Sequence, residues 1–381
     1  MSEQDTPCRM VRAGRCERAV VRASASRGAA AALFMLALGA CSSDDGADPS
    51  GPSSGTPDAG SSNVGGSDAG PDGGGSGASP SGPGAPAGGF VVASNPGGAG
   101  ASFIEVRTDD LGTPGTVLQD VANEGTAFAP DGRLFQNGDA EGRTGLFLIG
   151  EDGGATRIAA SPGKGLEFVD GPDLLASCDV TDAAADLKFH DPDATDPDAA
   201  PVATVDLPAS CWDAFFDADA ERLYLALTDG TLAILDDLGA DDPTPVDRLV
   251  LPVDADGRAL STNLHGVFVE DGIVLVTDVG ADTVGPNSDG RLFVLDDADG
   301  TLDGPVETAF VGGPSTRLGN PVDAVLLDGR AIVAEKTGGA LLVFDDVANA
   351  AGDVAPDYQT PFDAPESIQP LPATVGEGSE G

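Results

Sequence analysis

The chain has 381 residues, with 19 Lys and Arg against 63 Asp and Glu, a formal charge of −44, 54 Gly and 29 Pro. A polyanion of this strength does not recruit phosphate backbones, which excludes nucleic acid as a bulk partner, and it does not adhere to anionic lipid by charge. No apolar run reaches the length of a transmembrane helix, and Gly plus Pro at about a fifth of the chain disfavours a helical protein.

Residues 1–40 read as an export signal. Arg9, Arg12, Arg15, Arg18, Arg22 and Arg27 precede a short apolar stretch from Ala29 to Ala40. A basic segment followed by an apolar one too short to span is the pattern of a secretory signal peptide. It ends in Leu38-Gly39-Ala40-Cys41, which resembles a bacterial lipobox and implies lipidation of Cys41. No Arg-Arg pair is present, so the Sec route is expected, and Ser42 after the cysteine favours the outer membrane. The expected location is the cell envelope, with the membrane contacted only through the N-terminal lipid.

Residues 41–88 are nearly all Gly, Ser, Pro, Ala and Asp, with Val64 the only large aliphatic side chain. Such a segment cannot bury enough surface to offset its conformational entropy and is predicted to be a disordered tether. Removing the six arginines and three acidic residues of the signal leaves 13 basic and 60 acidic residues, a mature charge of −47. That surface suits solubility in high salt; the alternative is weak, diffuse binding of divalent cations. The folded body is placed at 89–372, followed by an acidic disordered tail, 373–381.

Within the body one phrase recurs. A first strand (Gly125–Phe128, Gly165–Phe168, Asp213–Phe216, His265–Phe268, Asp323–Leu326) turns on Asp and Gly into a second apolar strand, and a third follows. The anchors Phe128, Phe168, Phe216, Phe268, Leu326 and Gln369 lie 40, 48, 52, 58 and 43 residues apart. Short strands at this period predict a propeller of four-stranded blades. The body opens with Phe90–Ala93 and Phe103–Val106, which match the second and third strands of a blade lacking its first. It closes with Pro365–Gln369, a first strand with nothing after it. Joined, they predict an all-β, six-bladed propeller closed by one C-terminal and three N-terminal strands, a monomer without free inner edges.

The run Asn320-Pro321-Val322-Asp323-Ala324-Val325, continued by Ala334-Glu335-Lys336 and Leu342-Val343-Phe344-Asp345, resembles NHL/YVTN-type propellers. A weaker likeness is to the six-bladed senescence marker protein group. The resemblance covers 90–372. It implies architecture firmly and function poorly, since such propellers include hydrolases, binding platforms and scaffolds.

Aligning the copies puts Gly125, Gly165, Asp213, His265, Asp323 and Glu366 at the entry to each first strand, with Asp278 and Glu335 facing the same way. Asp213, His265, Asp323 and Glu366 are therefore the candidate metal ligands. Carboxylates with one imidazole suit Ca²⁺ or Mn²⁺ ahead of Zn²⁺. The resemblance to the senescence marker group implies a catalytic cation in such a place. The alternative is that these groups cap strands and bond neighbouring loops. His190 is expected at a solvated edge, and the Asp-Ala-Asp-Gly stretches at Asp254 and Asp297 are expected to be turns rather than calcium loops. Cys178 ends a second strand and Cys211 enters the next blade, so a disulfide is predicted, with Trp212 packed against it. The leading functional expectation is a lipid-anchored envelope protein presenting a ligand- or protein-binding propeller rather than an enzyme. The next is a metal-dependent, lactonase-like hydrolase, and the third a purely structural surface protein.

Overall fold

The computed structural model describes residues 89–94, 102–107, 110–118 and 121–370, except 141, 151–153, 161–162, 180–184, 237, 239–244, 282–288 and 328, with side chains from Glu124 onward. The expected signal segment, Cys41, the tether and the tail lie outside the described residues.

The first strands in chain order, β1 (Gly89–Ser94), β2 (Ser102–Arg107) and β3 (Asp110–Leu118), form one antiparallel sheet with the last strand of the chain. A second sheet holds β4 (Val121–Phe128), β5 (Leu134–Ala140), β6 (Arg143–Ile149) and β7 (Ala155–Ala159). The third holds β8 (Gly163–Val169), β9 (Leu174–Asp179), β10 (Asp186–His190) and β11 (Ala203–Asp206). Next come β12 (Cys211–Asp217), β13 (Arg222–Leu227), β14 (Leu232–Leu235) and β15 (Arg248–Val253). The following blade contains β16 (Leu264–Glu270), β17 (Ile273–Asp278), β18 (Arg291–Asp296) and β20 (Phe310–Gly312), while β19 (Gly304–Glu307) leaves it. Finally β21 (Pro321–Leu327), β22 (Arg330–Glu335), β23 (Ala340–Phe344) and β24 (Tyr358–Pro361) form a sheet, and β25 (Pro365–Pro370) pairs with β1.

The all-β propeller is thus the observed fold. The expectation of six four-stranded blades needs correction: five sheets have four strands, and the sheet of β12–β15 has five. The extra member is β19, which runs parallel to β15 from Val250↔Gly304 to Val253↔Glu307. A buried ionic knot holds this crossing in place. Asp297, fully buried, accepts from the Tyr224 hydroxyl (2.8 Å) and the Leu302 amide (2.8 Å), with Arg222 3.4 Å away. Arg248 donates to the carbonyls of Gly300 and Leu302 and to Asp236. Sequence period carries no trace of such a strand exchange, because β19 is short and alternates like any edge strand.

The first strand of every blade packs on the next, β4 on β8, β8 on β12, β12 on β16, β16 on β21, and β25 on both β21 and β4. Each blade is therefore covered on both faces by neighbours. Second strands consequently read as continuous apolar runs, as in Leu223–Leu227, all buried, whereas the outer strand β11 alternates. The core lies between blades: Phe135 stacks on Phe168 (6.4 Å), and Phe215 packs at a tilt against Phe268 (4.6 Å). Each such aromatic contributes about 1.5–3 kcal/mol of burial.

The acidity is partly turn chemistry. Asp131, Asp191, Asp217, Asp254, Asp296 and Asp299 each accept the amide two residues ahead. An Asp side chain substitutes for a backbone acceptor in such turns. The stretches at Asp254 and Asp297 behave in this way, as turns.

Candidate functional site at the channel mouth

The register of every inner strand slips at its entry: between Asn123 and Gly125, Lys164 and Leu166, Cys211 and Asp213, Leu264 and Val267, Pro321 and Asp323, and opposite β25 between Ala93 and Ser94. A β-bulge leaves its extra residue unpaired and re-aims the side chain. The residues so released are Glu124, Gly165, Trp212, His265 with Gly266, Val322 and Glu366. All but Gly266 line one cavity, together with Gly125, Asp213, Asp323 and Ser367. The channel mouth is thus built by a repeated backbone irregularity.

Close approach explains the glycines. A Cβ on Gly165 would lie 2.5 Å from the Asp213 Cα, and Gly165 has φ +50°. A Cβ on Gly266 would lie 2.7 Å from the Asp323 Cα. Adjacent inner strands meet backbone to backbone here.

The four candidate residues converge on this cavity but play two different parts. The Asp213 Oδ2 accepts from the Val267 amide of the next blade (3.1 Å). Likewise the Asp323 Oδ2 accepts from the Ile368 amide (2.7 Å), and its Oδ1 from Ala324 (2.7 Å). Glu167 makes a similar bond to Phe216 (3.3 Å). His265 and Glu366 sit one residue before the equivalent positions, Gly266 and Ser367, so they face the mouth instead of the next strand. The alignment of His265 and Glu366 with Asp213 and Asp323 is therefore corrected by one residue, because bulges do not appear in a linear register.

Burial pushes Asp213 up to about 7, against bonds from Val267 and Ala214 that favour its charge. Asp323 is raised by burial and then by the nearby Asp213, and Glu167 is raised by burial. Burial therefore disfavours the charged form of all three carboxyls, while the backbone bonds they accept favour it. His265 is pushed down to about 3 by burial and then by Lys164 and Lys336, so its imidazole is neutral. Its ring packs at a tilt of 30° against Trp212, with centroids 4.2 Å apart.

Sequence reasoning missed the lysines. Lys164 pairs with Glu124 and lies 4.9 Å above the Trp212 ring, and Lys336 pairs with Glu366. The signal was present in composition: lysine occurs only at 164, 188 and 336, and two of these meet at one mouth. Trp212 packs against His265 and under Lys164 at this mouth.

Asp278 and Glu335 serve the loops. The Asp278 carboxylate accepts from the amides of Thr262 (2.9 Å), Asn263 (3.0 Å) and Gly280 (2.8 Å). Glu335 accepts from Asn320 (2.7 Å) and from Gly338. His190 departs from its expected solvated edge: it is buried, its Nε2 is 3.3 Å from Ser177 Oγ, and burial pushes it down to about 4. The Cys178–Cys211 disulfide is formed, joining adjacent blades with a Cα separation of 5.2 Å.

The donor set does not fit a divalent cation. Asp213 and Asp323 are held by backbone amides, Glu124 and Glu366 by lysines, and both lysines would repel a cation. Among the described residues no group of three or more His, Cys, Asp or Glu side chains is arranged to hold a metal. The cavity is about 20 Å³, room for a water and too small for a sugar lactone.

Fold and site together define a propeller whose channel mouth is lined by carboxyls bonded to backbone amides or paired with lysines. No family model matches the chain, and no curated protein matches it. Among solved structures the chain is similar to one in a nidogen/laminin complex, at 11% identity and TM-score 0.52, covering 74% of this chain and 98% of that one. A protein of unknown function from Bacteroides caccae matches at 11% identity and TM-score 0.49, over 75% and 100%. The periplasmic gluconolactonase of Pseudomonas aeruginosa matches at 14% identity and TM-score 0.44, over 74% and 99%. The first of these supports the propeller architecture; at such identities the likeness is one of fold alone.

Proposed function

We propose that the chain is an exported, lipid-anchored envelope protein whose propeller is a ligand- or protein-binding module. The observation that carries the choice of binding over catalysis is the state of the channel mouth. Its carboxylates are bonded to backbone amides or paired with lysines, and its cavity is about 20 Å³. A binding platform needs no reactive group there. The anchor rests on the sequence pattern ending at Cys41, and the tether of 41–88 would hold the propeller a few tens of Å from the lipid at about 5–6 Å × √n. On this reading the lipid is the only membrane contact and the protein is a monomer.

Two measurements test the reading. Metabolic labelling with palmitate should mark the wild-type chain and not Cys41→Ser; an unlabelled wild type removes the anchor. Purified protein with added Ca²⁺ or Mn²⁺ should leave sugar lactones unhydrolysed. Hydrolysis that disappears in Asp323→Asn would replace the binding reading with the lactonase-like one.

A further inference from the structure

The strand exchange at β19 creates a second cavity, far larger than the channel mouth. It measures about 600 Å³, within the range of small-molecule sites. Three successive blades supply its walls. The turn after β15 contributes Asp254, Ala255 and Leu260, the crossing from β19 to β20 contributes Glu307 through Phe310, and the segment before β24 contributes Ala351 and Gly352.

The walls are fixed by backbone bonds, so the cavity is largely pre-formed. Thr308 donates from its amide to the Val253 carbonyl (3.1 Å) and from its hydroxyl to that of Val294 (3.1 Å). Gly352 donates to the Phe310 carbonyl (2.8 Å) and accepts from Gly312 (3.1 Å). A site ordered before binding avoids the entropy of ordering it afterwards.

Its chemistry is one-sided. The depression is open to solvent: half-buried Leu260 and Phe310 give its apolar base, exposed Ala309 and Ala351 its rim, and the charged groups of the lining are two carboxylates, Asp254 and Glu307. Asp254 is partly engaged, accepting from Asp256 and Arg258 amides with the Arg258 guanidinium 3.6 Å away. Glu307 is exposed, and no ion pair to it is formed among the described residues. The Phe310 ring already carries the Arg291 guanidinium at 5.0 Å, so a ligand's apolar body, not its charge, is placed against Phe310, and its charge at Glu307.

We propose that this cavity binds a small organic cation with an apolar body, of the aryl- or alkylammonium class. The body lies against Phe310 and Leu260, and the ammonium meets Glu307 at the rim. The acid-rich surface raises the local concentration of such ligands. A ligand here would supply the binding-module reading with its chemistry and so rests on that reading. The two fail separately, because palmitate labelling and lactone hydrolysis do not involve this cavity.

Titration calorimetry of the full chain with phenethylammonium, phenethyl alcohol and phenylacetate, at about 0.15 M salt, tests the proposal. The ammonium should bind most tightly and phenylacetate least. Glu307→Gln should weaken the ammonium about three- to fivefold and leave the alcohol unchanged. Ala351→Trp, which fills the cavity from an exposed position, should abolish binding of both while thermal melting stays at the wild-type value. Equal binding of ammonium and carboxylate would overturn the site. So would ammonium binding unaffected by either substitution, the mark of diffuse attraction to an acidic surface.

Discussion

Replacing Asp213 by Asn should flatten the loss of stability that the wild-type chain undergoes between about pH 4 and 7. The folded carboxyl keeps its proton up to about 7, whereas an ordinary Asp releases it near 3.8. Across that window the folded state binds more protons than the unfolded state, so stability falls as pH rises. The contribution is complete below the unfolded value and is lost by the time pH passes the folded one. A pKa difference of this size corresponds to about 4 kcal/mol if Asp213 titrates alone. Asp323 titrates in the same space, so the pair shares the effect, and about 2–4 kcal/mol is expected. Asparagine keeps an acceptor for the Val267 amide and carries no charge. Urea denaturation from pH 4 to 8, in about 0.5 M salt to screen surface repulsion, compares the two slopes. Parallel curves for wild type and Asp213→Asn would refute the reasoning.

Three further outcomes follow from the packing. Replacing Cys178 and Cys211 together by Ser should destabilise the protein by about 3–4 kcal/mol, from the loop of 33 residues that the bridge closes; an unchanged denaturation midpoint would count against this. Gly165→Ala should cost at least about 2 kcal/mol, because its Cβ would meet the Asp213 Cα at 2.5 Å in a left-handed conformation. Thermal melting reads that loss. Tyr224→Phe removes the 2.8 Å bond to buried Asp297 and should lower stability by about 1–3 kcal/mol; the same value for both proteins in urea would remove the knot at β19 from the account.

The propeller was legible because each blade repeats two local signals, an apolar run that the neighbouring blades bury and an Asp or Gly turn that reverses it. Closure by β25 and β1 was legible from complementary ends, and the disulfide from two cysteines at matching strand positions. The site was only partly legible. Asp213 and Asp323 were found because their strands align, but nothing linear told that they face the next blade's amides. His265 and Glu366 were displaced by one residue because bulges shift register without changing composition. Lys164 and Lys336 lie 172 residues apart, and only ring closure brings them to one mouth.

Sequence alone determined the strand-and-turn alphabet, the acid-rich composition, and the pairing of Cys178 with Cys211. These depend on local preference and on counting, which a chain carries with it. Tertiary structure decided that the acidic ring bonds strands together, that β19 joins the neighbouring blade, and that a 600 Å³ cavity opens where it crosses. Each depends on how blades meet, and contacts between blades are set by packing that no single repeat contains.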